Sequence, residues 1–102
     1  MSIKKQYLKT RPVCKVTFRL SSKEARKAKS VFLVGEFNNW NETATPMKPL
    51  KKGGFVATLV LNTDKEYQFR YFFDRTTWEN DPQADLYVHS SYGSCDNSVI
   101  RI

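Results

Sequence analysis

The sequence is poor in the residues that build covalent or metal scaffolds. Its cysteines are Cys14 and Cys95, and its one histidine is His89. Small disulfide-framed domains need several bridges, so two free thiols are expected here. Structural zinc wants four Cys or His ligands at short spacing, which this chain does not supply, and neither metal nor cofactor is expected. Long apolar runs are missing as well: nothing approaches the roughly 20 residues that cross a bilayer. The opening MSIKKQYLKTRP is basic but leads into no apolar signal core, so the expectation is a cytoplasmic protein with no membrane partner. Catalytic signatures are missing too. There is no G-x-S-x-G elbow and no H-E-x-x-H pair, and a small β-domain offers no cleft to hold two carboxylates across a substrate. No enzymatic activity is expected.

What is present is a core. Hydrophobic residues make up 40% of the 102 positions and aromatics 14%, which is enough to bury one domain and too much for a disordered chain. The net charge of +7 invites a nucleic-acid reading, so its placement matters. Ten of the 17 Lys and Arg lie in the first thirty residues against Glu24 alone, and the remaining seven face nine acidic residues. This basic third lacks the interleaved aromatics of a single-strand binding groove, so no nucleic-acid partner is expected.

Short alternating segments recur along the chain. VCKVTFRL points Cys14, Val16, Phe18 and Leu20 one way and Lys15, Thr17 and Arg19 the other, a half-buried strand. SSKEARKAKS holds helix formers without an apolar stripe and reads as a solvated connection. SVFLVGEF is apolar on both faces, a central strand. FVATLVLN and YQFRYFFD, joined by TDKE, read as a hairpin. Polar linkers follow, with a short strand at Asp85–Val88, and NSVIRI closes the chain as a strand. Gly35 and Gly93 mark bulges or positive φ. The pattern predicts an all-β sandwich of about seven strands in a single domain, residues 13–102, preceded by a basic N-terminal arm, residues 1–12, with no assigned structure. Phe18, Leu33, Phe37, Leu59, Phe69 and Phe73 are expected in its core.

Four stretches stand out against this background: VFLVGEFNNWN, EYQFRYFFD, TTWENDP and YGSCDNSVI. In order and spacing they resemble the successive landmarks of the isoamylase early-set domains (carbohydrate-binding module family 48). That family of α-glucan-binding modules includes the glycogen-binding domain of the AMP-activated protein kinase β subunit. The resemblance runs from about Val13 to Ile102. It implies an immunoglobulin-like β-sandwich of early-set type and a non-catalytic module for α-1,4/α-1,6-glucans such as glycogen or starch. It also implies association with a glycogen-metabolising enzyme or a kinase. Residue by residue, the family's sugar platform falls on Trp40 and Trp78, and its basic strand residue on Arg70. The C-terminal leucine, threonine and asparagine of the kinase-type site fall on Tyr92, Ser94 and Asp96, with Asn97 adjacent. An ionised Asp only accepts hydrogen bonds where Asn also donates, so Asp96 and Asn97 stay alternatives for that contact. In sandwiches of this kind the opening and closing strands can run side by side, an arrangement that would make Cys14 and Cys95, near the starts of VCKVTFRL and NSVIRI, neighbours.

The physical chemistry of the residues agrees. A glucose ring carries C–H groups on its faces and hydroxyls on its rim, so it suits a flat indole bordered by donors and acceptors. Other readings compete at each position. Trp40 folded back over the sandwich edge would be core, and Arg70 on its strand would be a solvated surface arginine. The acidic residues Asp74, Glu79, Asp81 and Asp85 lack the ligand spacing of a calcium loop. A protein–protein scaffold with the same fold and no sugar function is the alternative to the glucan module, since exposed aromatics also serve protein interfaces.

Overall fold

The computed structural model describes residues 1–90 and 96–102. Among them nine strands form two antiparallel sheets packed face to face. β1 (Ser2–Tyr7), β2 (Val13–Leu20), β5 (Phe55–Asn62) and β4 (Lys48–Pro49) make the first sheet, in the order β1-β2-β5-β4. β3 (Val31–Gly35), β6 (Glu66–Phe73), β9 (Asp96–Arg101) and β8 (Leu86–His89) make the second, in the order β3-β6-β9-β8, with β7 (Thr77–Glu79) also paired to β6. This is the all-β, immunoglobulin-like sandwich expected. It has nine strands where about seven were expected, and β1 and the short β4 and β7 have no counterpart among the expected segments.

Alternation fixes which side chains meet between the sheets. Cys14, Val16, Phe18 and Leu20 of β2 face Phe69, Tyr71 and Phe73 of β6, with Leu33 and Ile100 between them. Phe18 and Phe69 meet edge to face, ring centroids 5.3 Å apart, and Phe69 meets Tyr71 in the same way at 5.8 Å. Such contacts add about 0.5–1.5 kcal/mol each beyond area burial. Phe18, Leu33, Phe69 and Phe73 are buried, whereas Phe37 and Leu59 pack against the core only partly buried.

Three expectations change. The arm of residues 1–12 contains β1, which runs antiparallel to β2 from Ser2↔Arg19 to Tyr7↔Cys14. FVATLVLN and YQFRYFFD are not a hairpin, because β5 pairs with β2 and β4 while β6 pairs with β3, β7 and β9. The TDKE turn instead carries the chain from one sheet to the other. Asp64 takes φ +60° there, and its N–H donates to the Ile102 carbonyl. A sandwich buries both inner faces only if consecutive strands sometimes change sheets, and local turn chemistry does not distinguish the two cases. For the same reason β2 and β9 are not neighbours: they lie in opposite sheets. Cys14 is a buried free thiol, and Cys95 lies outside the described residues.

The connection 21–30 forms turns and no helix, as its missing apolar stripe requires. Ser21 and Glu24 cap each other's backbone N–H, and Ala25 is buried. Gly35 is neither a bulge nor a positive-φ residue, since its backbone is extended (φ −174°). Its missing side chain matters for another reason. A Cβ there would lie 2.5 Å from the Gln68 carbonyl oxygen and 2.7 Å from the Phe69 Cβ. Only glycine lets β3 approach β6 this closely.

Candidate functional site

The outer face of the second sheet carries an open depression of about 610 Å³. Three strands, β6, β7 and β9, contribute to it through the alternation that filled the core. Because Phe69, Tyr71 and Phe73 of β6 point inward, Arg70 and Phe72 point outward. Phe72 pairs with Trp78 across β6 and β7, and the two rings stack, centroids 4.2 Å apart and planes 19° from parallel. The guanidinium carbon of Arg70 lies 5.3 Å from the centre of the Trp78 ring, a cation–π contact. Trp78 therefore lies on a strand where the sequence reads as a polar linker, half-buried against a small cluster of Phe32, Val34 and Phe72.

Trp40 reaches the same depression by a different route. After Gly35 the chain makes a single 3-10 turn, Glu36–Asn38. Asn38 clasps this turn: its Oδ1 accepts from the Gly35 N–H at 3.1 Å, and its Nδ2 donates to the Leu33 carbonyl at 2.8 Å and to Thr45 Oγ1 at 3.0 Å. Asn39 and Trp40 then both take the left-handed conformation at φ +57°, and the Trp40 N–H donates to the Gly35 carbonyl at 2.8 Å. Asparagine tolerates that conformation, but a bulky aromatic residue rarely adopts it, at a cost of about 1–3 kcal/mol. In this conformation the indole stands 36% exposed on the rim. The paired asparagines thus divide their work: Asn38 holds the turn, and Asn39 helps make it.

Asn39, Trp40, Glu42, Arg70, Trp78, Ser90 and Asn97 line the depression. Of the residues marked in the sequence, Trp40, Arg70, Trp78 and Asn97 are brought together. Asp96 is exposed and does not line the depression; its carboxylate lies 3.3 Å from His89 Nδ1. Between the two C-terminal alternatives, Asn97 is the one that faces the site. It is buried, and its Nδ2 donates to Gln68 Oε1 at 3.0 Å. Tyr92 and Ser94 lie outside the described residues. Sequence reasoning missed Asn39, Glu42 and Ser90. The first two sit in the same NNWNE turn as Trp40 and were within its reach. Ser90 follows β8 with no local signal.

The depression combines an exposed indole, a second indole capped by a guanidinium, and a rim of amide, hydroxyl and carboxylate groups. It holds one basic and one acidic side chain. Among the described residues no three His, Cys, Asp or Glu converge as metal ligands. No helix among them is long and apolar enough to cross a membrane.

Residues 9–91 match the profile of carbohydrate-binding module 48, the isoamylase N-terminal domain. The chain belongs to this family. Carbohydrate-binding module 48 domains bind carbohydrate and are non-catalytic, and the outer-face depression, with aromatic plates and polar rim, has the composition such a role asks for. No curated protein matches the chain.

Proposed function

We propose that this module binds α-linked glucan of the glycogen or starch type in the depression on the second sheet, with Trp40 as its principal stacking plate. The observation that carries the reading is the conformation of Trp40. A bulky residue held at φ +57° with its ring exposed on the rim gives up stability that a core tryptophan would retain. Trp78 supplies a second plate, stiffened from behind by Phe72. Arg70 and Asn97 border it, with hydrogen bonds for sugar hydroxyls. Tyr92 and Ser94 belong to the same proposed surface on the family resemblance alone, and Asp96 adds an acceptor beyond the rim.

The two indoles rise from different elements, one from the turn after β3 and one from β7. Plates set on separate supports suit the curved path of an α-1,4-linked chain better than the straight ribbon of a β-linked one. The ligand is neutral, so the basic excess of the N-terminal third plays no part in holding it. An open depression buries little surface, and each hydroxyl bond replaces one to water, so affinity falls at about micromolar to millimolar, or roughly −8 to −4 kcal/mol. In this role the module acts in the cytoplasm as an address, keeping a glycogen-metabolising enzyme or a kinase on its polymer.

A fluorescence titration tests the reading directly. Maltoheptaose should change the indole emission saturably and cellohexaose should not. Equal responses to both would leave a carbohydrate module without α-selectivity, and no response to either would remove the sugar site from this face.

A further inference from the structure

We propose that the open edge of β1, backed by the cationic outer face of the first sheet, binds an extended acidic segment of a partner protein. Among the described residues β1 is the terminal strand of its sheet and pairs with β2 alone, which leaves one backbone edge of Ser2–Tyr7 free to bond another strand. The register places Ser2, Lys4 and Gln6 on the solvent face, beside Arg19, Thr17 and Lys15 of β2. Further across lie Val56, Thr58 and Val60 of β5, then Lys48 of β4. This face presents Lys4, Lys15, Arg19 and Lys48 and no carboxylate. Lys4 is diagonal to both Lys15 and Arg19, a separation of about 7–8 Å.

Three other basic residues are neutralised: Lys5 pairs with Asp85, Arg26 with Glu79 and Arg101 with Glu66. Among the described residues Lys4, Lys15, Arg19 and Lys48 form no ion pair. Lys4 lies within about one Debye length of both Lys15 and Arg19, so its field adds to each of theirs at the sheet edge.

The chemistry of the edge selects its occupant. A second copy is disfavoured, because antiparallel pairing of SIKKQY with itself sets Lys4 and Lys5 against lysines, and like charges directly opposite repel. Single-stranded nucleic acid would want a row of aromatic plates, and among the described residues of this sheet Tyr7, at the end of β1, is the one exposed aromatic. A bilayer would want apolar wedges, and the face offers only valines and threonines. A strand with Asp or Glu at alternate positions meets both demands. Its backbone completes the edge, and its carboxylates line up beside Lys4 with Lys15 and Arg19 behind. The surface lies on the sheet opposite the sugar depression, so the inference does not rest on the glucan reading.

The experiment is amide hydrogen exchange on the full chain with an alternating glutamate–threonine peptide as probe. An alternating lysine–threonine peptide, oligothymidylate and phosphatidylserine vesicles are the other arms. The acidic peptide should slow exchange at Ser2–Tyr7, with affinity falling about tenfold between about 0.05 M and 0.3 M salt. Lys4→Glu combined with Lys15→Glu should weaken it tenfold or more, and Lys4→Gln by about threefold. Both positions are exposed and outside the depression, so melting temperature and maltoheptaose binding should hold. The proposal is overturned if the acidic peptide leaves β1 exchange unchanged, or if folded charge-reversed protein still binds it. It is also overturned if the lysine peptide, oligonucleotide or vesicles bind more tightly than the acidic peptide.

Discussion

Trp78 lies flat on Phe72, centroids 4.2 Å apart, so one face of its indole is committed to the protein before any ligand arrives. Trp40 makes no aromatic contact among the described residues and stands 36% exposed. The two tryptophans of one depression are therefore tied to the fold unequally, and substitution should separate stability from the proposed sugar binding.

Trp40→Ala should lose about 1–3 kcal/mol of maltoheptaose binding, the share of an interface anchor, and barely move the melting temperature. Trp78→Ala should lose binding and also about 2 kcal/mol of stability, roughly half the cost of emptying a fully buried aromatic site. Calorimetry and thermal melts on both proteins make the comparison. A collapsed melting temperature in Trp40→Ala would put that indole in the core.

The left-handed backbone at Trp40 gives a second, sharper comparison. Glycine occupies φ +57° without penalty, while alanine retains most of the cost of about 1 kcal/mol. Trp40→Gly should therefore melt above Trp40→Ala by several degrees, while neither binds maltoheptaose. Equal melting temperatures would show that the turn relaxes when the indole is gone.

Legibility followed the range of the interactions. The strands of 13–20, 55–62 and 66–73 were visible because alternation is local and each inner face is fully apolar. Trp40, Arg70, Trp78 and Asn97 were marked through family landmarks, and the structure brings these four together. What escaped depended on partners distant in sequence. SIKKQY shows weak patterning and becomes a strand because VCKVTFRL offers it an edge. TDKE looks like a hairpin turn because nothing local tells whether the next strand pairs or crosses to the other sheet. Gly35 was misread because its demand comes from the Gln68 carbonyl, thirty-three residues on.

That close approach predicts its own phenotype. Gly35→Ala places a Cβ 2.5 Å from backbone oxygen and 2.7 Å from the Phe69 Cβ, and neither neighbour can swing away as a long side chain would. The variant should lose about 1–3 kcal/mol as an overpacked site, seen as a lower urea midpoint. The turn carrying Trp40 starts at this residue, so maltoheptaose binding should weaken too. Unchanged stability would mean that β3 and β6 slide apart freely.

Lys5 ties β1 to the far sheet through Asp85, at 2.8 Å. Burial alone would raise the Asp85 carboxyl. The hydrogen bonds from Lys5 and from the Arg101 N–H outweigh it and hold the group below the ordinary carboxylate value. A depressed folded value means that the contribution is fully present above the unfolded value of about 3.9 and is lost as pH falls through the folded one. Asp85→Asn should thus melt below wild type at neutral pH, modestly for so exposed a pair, with the gap closing in acid. A gap that persists at the lowest pH would assign the effect to packing instead.

The last prediction concerns the polar knot beneath the depression. Asp81 is fully buried. Its Oδ2 accepts from the Tyr71 hydroxyl at 2.7 Å, and its Oδ1 accepts from the Gln83 N–H at 2.8 Å. Its own N–H donates to Ser98 Oγ, which in turn donates to Asn80 Oδ1. The knot ties the strand bearing Trp78 to the strand bearing Asn97. Burial, then the charge of Asp81, then the hydrogen bond push the Tyr71 phenol well above its ordinary value. A raised folded value gives stability that is fully present below the unfolded value of about 10 and is lost as pH climbs through the folded one. Tyr71→Phe removes one donor from a buried carboxylate and should cost about 1–3 kcal/mol in urea unfolding at pH near 7. Above about pH 10 the wild type should lose stability faster than the variant, so that the two converge. Maltoheptaose affinity should fall in the variant although Tyr71 touches no sugar, because Trp78 and Asn97 lose their common support. A variant equal to wild type in both stability and affinity would show that Asp81 is satisfied without the phenol and that the knot does not position the site.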